Sequence, residues 1–142
     1  MQARDVFTNL PAFERLTYLQ LNEVTCEGLL NLLQKTPILK TLVLVHGVSK
    51  FDEDLLTCTM VPHCFHSSLE VFRFGGFNVH EHELSLAKFV MKNAVKLERM
   101  TISTAFWLRY SDIDLEKVKE QLVSFPKCSS LALIDFSDVN GS

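Results

Sequence analysis

The stretch Val61-Pro62-His63-Cys64-Phe65-His66-Ser67-Ser68-Leu69-Glu70-Val71-Phe72-Arg73-Phe74-Gly75-Gly76-Phe77, followed after a helix-period segment by Leu97-Glu98-Arg99-Met100-Thr101-Ile102, decides the fold. Its two strand phrases share one template, apolar-x-x-apolar-x-apolar, as Leu69, Phe72, Phe74 and as Leu97, Met100, Ile102. A template that recurs with a helix between its copies is the mark of a solenoid, in which each unit buries its apolar face against its neighbours. No reaction chemistry is written in it.

Upstream, the template returns twice. Leu16, Leu19 and Leu21 form the first copy, and Leu39, Leu42 and Leu44 repeat it 23 residues later, position for position. Residues two apart on an extended backbone share a face, so Leu19 and Leu21 point one way and Tyr18, Gln20 and Asn22 the other. Thr25 is placed to cap a helix carrying Leu29, Leu30, Leu32 and Leu33 inward, closed by Pro37. The apolar run from Leu42 to Val45 predicts a central strand covered on both faces. The connection from His46 to Ser68 is expected to be a partly mobile loop. Phe51 to Leu56 forms a short helical turn within it, and Pro62 blocks a helix.

The third copy begins 30 residues after the second, and the fourth 28 after that. Between them, Glu81 to Ala94 is the best helix in the chain. Leu84, Ala87, Val90, Met91 and Ala94 face inward, and Lys88, Lys92 and Lys96 form a solvent row. Gly75-Gly76 reads as a turn needing positive φ. Ser111 to Asp114 reads as a capping-box start for a helix bearing Leu115, Val118 and Leu122, ended by Phe125-Pro126. A degenerate fifth copy is taken as Cys128, Leu131 and Leu133, 31 residues after Leu97.

The spacings bracket the leucine-rich repeat range, and the L-x-x-L-x-L core is that repeat's strand phrase. Its asparagine is met once, by Asn22. The expected fold is α/β, a short irregular leucine-rich-repeat solenoid of about five strand-helix units with a parallel sheet. Residues 1–60 are assigned to the repeats and 61–142 to a region continuing the same solenoid.

Composition narrows the function. The 142 residues are 47% hydrophobic and 22% charged, enough for one core. A net charge of -3 offers no electrostatic footprint for nucleic acid. No apolar run approaches the ~20 residues that span a bilayer. Cys26, Cys58, Cys64 and Cys128 read as reduced thiols of the cytoplasm or nucleus.

With these residues placed, the chain resembles the FBD region of plant F-box proteins with leucine-rich repeats. The matching phrases are Val61-Pro62-His63-Cys64-Phe65, Ser68-Leu69-Glu70-Val71, Phe77 with Glu81 and Glu83, Phe89-Val90-Met91-Lys92-Asn93-Ala94, Leu97-Glu98-Arg99-Met100-Thr101-Ile102, and Phe125-Pro126-Lys127-Cys128-Ser129-Ser130. The resemblance implies an α/β repeat surface that holds a protein partner or ubiquitination substrate. It also implies a Skp-type adaptor of a cullin ligase, wherever an F-box lies upstream. Met1 to Pro11 leaves no room for an F-box of roughly 40 to 50 residues. The expectation is therefore a C-terminal fragment, or a family member that binds a partner without a ligase role.

Candidate partner-binding positions are the non-core strand residues: Tyr18, Gln20, Thr41, Val43, Val71, Arg73, Arg99 and Thr101, with Ser130 and Ala132 beyond them. Tyr18, Arg73 and Arg99 are the expected anchors, because Tyr and Arg are enriched among binding hot spots. Cys58, His63, Cys64 and His66 lack the paired spacing of a structural zinc site. His80-Glu81-His82-Glu83 fails H-E-x-x-H and reads as a solvated first helical turn. No nucleophile elbow, P-loop or Cys-His pairing is present, so no enzyme, cofactor or metal is expected, a small hydrolase or zinc protein being the remote alternative.

Overall fold

The computed structural model describes residues 13–58, 60–105, 108, 111–126 and 133–137. In chain order these form β1 (Tyr18–Leu21), α1 (Cys26–Gln34), β2 (Thr41–Leu44), α2 (Asp54–Cys58), α3 (His63–Ser67), β3 (Val71–Phe77), α4 (Glu81–Asn93), β4 (Arg99–Thr104), α5 (Leu115–Ser124) and β5 (Leu133–Ser137). The strands make one five-stranded sheet in the order β1-β2-β3-β4-β5. Every adjacent pair is parallel. The architecture is α/β.

The register follows the sequence template. Leu19, Leu42, Phe72, Met100 and Ile134 lie side by side, as do Leu21, Leu44, Phe74, Ile102 and Phe136. Entry to each strand is also repeated. The Thr17 carbonyl accepts the N–H groups of Lys40 and Thr41 at 2.8 and 2.9 Å, and the Lys40 carbonyl accepts those of Glu70 and Val71 at 2.9 and 3.0 Å. The Glu70 carbonyl accepts those of Glu98 and Arg99 at 2.7 and 3.1 Å. Equivalent template positions thus receive equivalent backbone satisfaction, which buried peptide groups require.

The core lies between one sheet face and the helices. Leu42, Leu44, Phe72, Phe74, Met100 and Ile102 are buried against Leu29, Leu33, Phe65, Leu86, Val90, Met91 and Leu122. Burying one such side chain stabilises the fold by roughly 1.5–3 kcal/mol. Thr25 caps α1, its Oγ1 accepting the Gly28 N–H at 3.0 Å. In α4, Leu86 joins the buried stripe and Leu84 is half-buried, while Lys88 and Lys92, with Lys96 beyond the helix end, are exposed.

Several expectations are corrected. Among the described residues the helices cover one face of the sheet, and Thr41 and Val43 of β2 on the other face stay half-buried. Pro62 does not block a helix; it stands at the N-cap of α3, where a missing N–H costs nothing. Asp114, rather than Ser111, caps α5, its Oδ1 accepting the Glu116 and Lys117 amides at 3.1 and 3.4 Å. Asn22 is exposed, and the buried residue after the first strand is Val24. Gly75 and Gly76 lie within β3 at an irregularity between Phe74 and Phe77 rather than in a turn, while Gly76 takes the expected positive φ, 63°. A Cβ on Gly75 would sit 2.6 Å from the Val45 carbonyl oxygen, so the two backbones approach only because it is glycine.

The fifth copy is also reframed. Ile134 pairs with Met100 and Phe136 with Ile102, so the template there is Leu131, Ile134, Phe136, 34 residues after Leu97. The odd shift from the Cys128 reading moves Leu133 from the core position to a place beside Arg99.

Candidate functional site

The eight candidate strand residues come together. Tyr18, Thr41, Val71 and Arg99 form one ladder row across the sheet, and Gln20, Val43, Arg73 and Thr101 form the next. Both rows lie on the face away from the core, half-buried or exposed. Ser130 and Ala132 lie outside the described residues. The second row ends instead on Asp135 of β5.

Asp135 is the residue that sequence reasoning missed, because the fifth strand was framed three residues early. Its Oδ2 lies 3.6 Å from Arg99 Nε, across β4 and β5. Both side chains are about half exposed, and such pairs contribute roughly 0–1 kcal/mol. Arg73 forms no ion pair among the described residues. Tyr18 Oη donates to Gln20 Oε1 at 2.9 Å along β1, and the residue is 51% exposed. Among the described residues the face thus presents the guanidiniums of Arg73 and Arg99, the Asp135 carboxylate, the Tyr18 ring, the Gln20 amide and the Thr41 and Thr101 hydroxyls beside Val43 and Val71.

A second feature lies where β2 and β3 end and α4 begins. A cleft of about 770 Å³ is lined by Lys50, Phe51, Glu53, Glu81, His82 and Glu83, among others. The expected solvated first turn of α4 is overturned here: His82 is 8% exposed and Glu83 only 1%. Glu83 Oε1 accepts the backbone N–H groups of Asn78 and His80, so its charge is met by donors at the positive end of the helix. His82 Nε2 lies 3.3 Å from the Val48 carbonyl oxygen, and its ring meets Phe51 edge-on at 5.4 Å.

Among the described residues, the cysteine and histidine side chains near α3 do not come together as a site. Cys64 is fully buried, and burial pushes its thiol up to about 11, whereas His63 and His66 point to solvent. The side chain of Cys58 and all of Cys128 lie outside the described residues. Among the described residues, no three His, Cys, Asp or Glu side chains are placed to hold a metal ion. No helix among them is long and apolar enough to cross a membrane.

This is an α/β protein whose strand face away from the core is of mixed polarity and half-buried to exposed among the described residues. Residues 59–102 match the FBD family model. The chain is 34% identical to an FBD-associated F-box protein of Arabidopsis thaliana over 96 residues, 63% of this chain and 21% of that protein. It is 32% identical to a putative F-box/FBD/LRR-repeat protein of the same plant over 127 residues, 85% of this chain and 27% of that protein. The chain is a relative of the plant F-box/FBD proteins, with its FBD region at residues 59–102. It spans between a fifth and about a quarter of the length of these relatives. No solved structure matches it.

Proposed function

We propose that the chain is a protein-interaction module, a short irregular leucine-rich-repeat solenoid whose strand face holds a partner as the substrate-recognition part of an SCF-type ubiquitin ligase. The observation that carries this reading is the register, which sets Tyr18, Gln20, Thr41, Val43, Val71, Arg73, Arg99 and Thr101 in two uninterrupted rows on the face away from the core. The repeated strand entry at Thr17, Lys40 and Glu70 supports the solenoid. The relatives' names support the ligase setting. On this reading, residues 1–60 are leucine-rich repeats and 61–142 the FBD-type continuation, acting in the cytoplasm or nucleus without catalysis or cofactor. A Skp-type adaptor joins only through an F-box on the same polypeptide.

The test is site-specific photo-crosslinking from Thr101 on the strand face and, in parallel, from Lys119 on α5, in a plant extract. A protein captured from Thr101 alone is then purified and its affinity measured. Arg73→Ala with Arg99→Ala should weaken binding at least about tenfold, as loss of two central anchors does. Capture only from Lys119, or an unchanged affinity in the double variant, would place the interface elsewhere.

A further inference from the structure

Charge is unevenly spread over the two strand rows. Arg73 sits at the centre of the second row, between Val43 of β2 and Thr101 of β4, with Val71 two residues before it on the same side of β3. It is exposed, and among the described residues no carboxylate pairs with it. Arg99 stands diagonally from it, beside Val71, at roughly 8 Å by strand spacing and rise, so both long side chains reach one small anion. The two cations differ in freedom. Arg99 is drawn toward β5, where Asp135 Oδ2 lies 3.6 Å from its Nε. Asp135 closes the second row beyond Thr101, so the chain carries its own carboxylate on the side of Arg99 away from Arg73. Lys40, Glu70 and Glu98 stand at the entries of β2, β3 and β4, and together they are net negative.

We propose, resting on the reading that the strand face holds a protein partner, that the partner offers an extended segment with a single carboxylate side chain among apolar and uncharged neighbours. Its carboxylate sits on Arg73, an apolar side chain two positions away rests on Val71 and Val43, and Asp135 competes for Arg99. The argument is charge complementarity in a neutral surround. A guanidinium flanked by valines and a threonine favours a carboxylate, which its fork of donors meets in bidentate fashion. Alternate side chains of an extended segment are about 7 Å apart, which matches the separation of Val71 and Arg73 along β3. A run of acidic residues fits less well. It needs several open cations, whereas Arg99 is already paired and the charges at the strand entries repel further negative charge. A basic side chain fits poorly for a related reason, since the carboxylate that the rows offer among the described residues already faces Arg99. The Arg99–Asp135 pair is long and about half exposed on both sides, so an incoming carboxylate takes Arg99 at little cost.

A phage-displayed library of random dodecapeptides is panned on the whole chain and, in parallel, on Arg73→Glu, on Thr101→Trp and on Lys88→Gln with Lys92→Gln. Arg73, Lys88 and Lys92 are exposed, so their variants leave the core untouched. Peptides selected on the parent should carry one Asp or Glu with an apolar residue two positions away, more often than the input library. That pattern should vanish on Arg73→Glu and survive in the lysine variant. The best peptide is then synthesised with its acidic residue intact or as the amide, and titrated by fluorescence anisotropy. The amide peptide, or Arg73→Ala in the chain, should weaken binding by at least about tenfold, the worth of a hydrogen-bonded charge. Asp135→Asn should tighten it by up to about fivefold, the worth of a half-exposed ion pair. Peptides that lack the pattern but are blocked by Thr101→Trp overturn the charge inference and leave the strand face as a binding surface. Peptides indifferent to Arg73→Glu and Thr101→Trp alike overturn both. Enriched acidic runs, or a pattern lost with the lysines, overturn the single carboxylate on Arg73. A library without binders overturns the extended segment, and unchanged or weaker binding in Asp135→Asn overturns the competition for Arg99.

Discussion

Glu83 Oε1 accepts the backbone N–H of Asn78 at 2.9 Å, joining the first turn of α4 to the end of β3. The same oxygen accepts the His80 N–H at 3.1 Å, so one buried carboxylate spans the loop that contains the strained Val79. Glu83→Ala strands two amides and opens a cavity. A loss of about 2–3 kcal/mol is expected, from unpaired buried donors and a lost cap. Glu83→Gln keeps an acceptor and should cost roughly half as much. Urea midpoints of the two variants decide, and an alanine variant as stable as the parent sinks this account of the loop.

Gly75 and Gly76 are where β3 comes too close to the preceding unit for a side chain. Gly75→Ala puts a methyl against the Val45 carbonyl oxygen, where the only relief is movement of one backbone. Gly76→Ala adds the cost of φ 63° to a 2.9 Å approach to His46 Cα. Each should destabilise by about 2 kcal/mol or more, with the larger effect at Gly76, where strain and crowding act together. Thermal melting that ranks Gly75→Ala above Gly76→Ala in cost would show that the close approach to Val45 outweighs the positive φ.

Both places depend on contacts between segments distant in the chain, which local sequence pattern does not encode. The strands were legible because Leu, Phe, Met and Ile recur at one spacing, and side-chain alternation then assigns Arg73 and Arg99 to the opposite face. β5 was misframed because Cys128, Leu131 and Leu133 and Leu131, Ile134 and Phe136 both fit the template, and only pairing with β4 selects the second. Asp135 was lost with that choice. Glu83 and His82 were misread because charge argues for solvent, whereas their burial depends on Gly47, Val48 and Phe51 of a distant loop, which no local pattern encodes. Pro62 misled in the other direction, its ring being compatible with the position just before a helix.

Adjacent residues of β2 test the one-sided sheet. Leu44 is fully buried and Val43 is half-exposed on the opposite face of the sheet. Leu44→Asp places an unpaired carboxylate in the core and should abolish cooperative unfolding, since that cost approaches the whole stability of a domain, about 5–15 kcal/mol. Leu44→Ala should cost about 2–5 kcal/mol. Val43→Asp should fold, losing about 1 kcal/mol or so from β propensity and partial burial. Circular dichroism melts of all three separate the faces, and equal damage at 43 and 44 would mean that the sheet is covered on both sides.

Two buried thiols among the described residues, Cys26 and Cys64, give the last prediction. Desolvation pushes Cys26 up to about 12, with Glu27 adding to the shift, and pushes Cys64 up to about 11, both from an ordinary 9.0. A native thiol that stays protonated is a poor nucleophile, so iodoacetamide at pH 8 should leave Cys26 and Cys64 unmodified until the chain is unfolded. The linkage has a definite sign: above pH 9 the unfolded chain releases protons that the native state still holds, so stability falls as pH rises from 9 toward 11 to 12. Peptide mapping after timed alkylation reads the first effect, and urea midpoints between pH 8 and 10.5 read the second. Rapid native labelling of Cys64 would show that α3 opens readily, which would remove Phe65 from the permanent core.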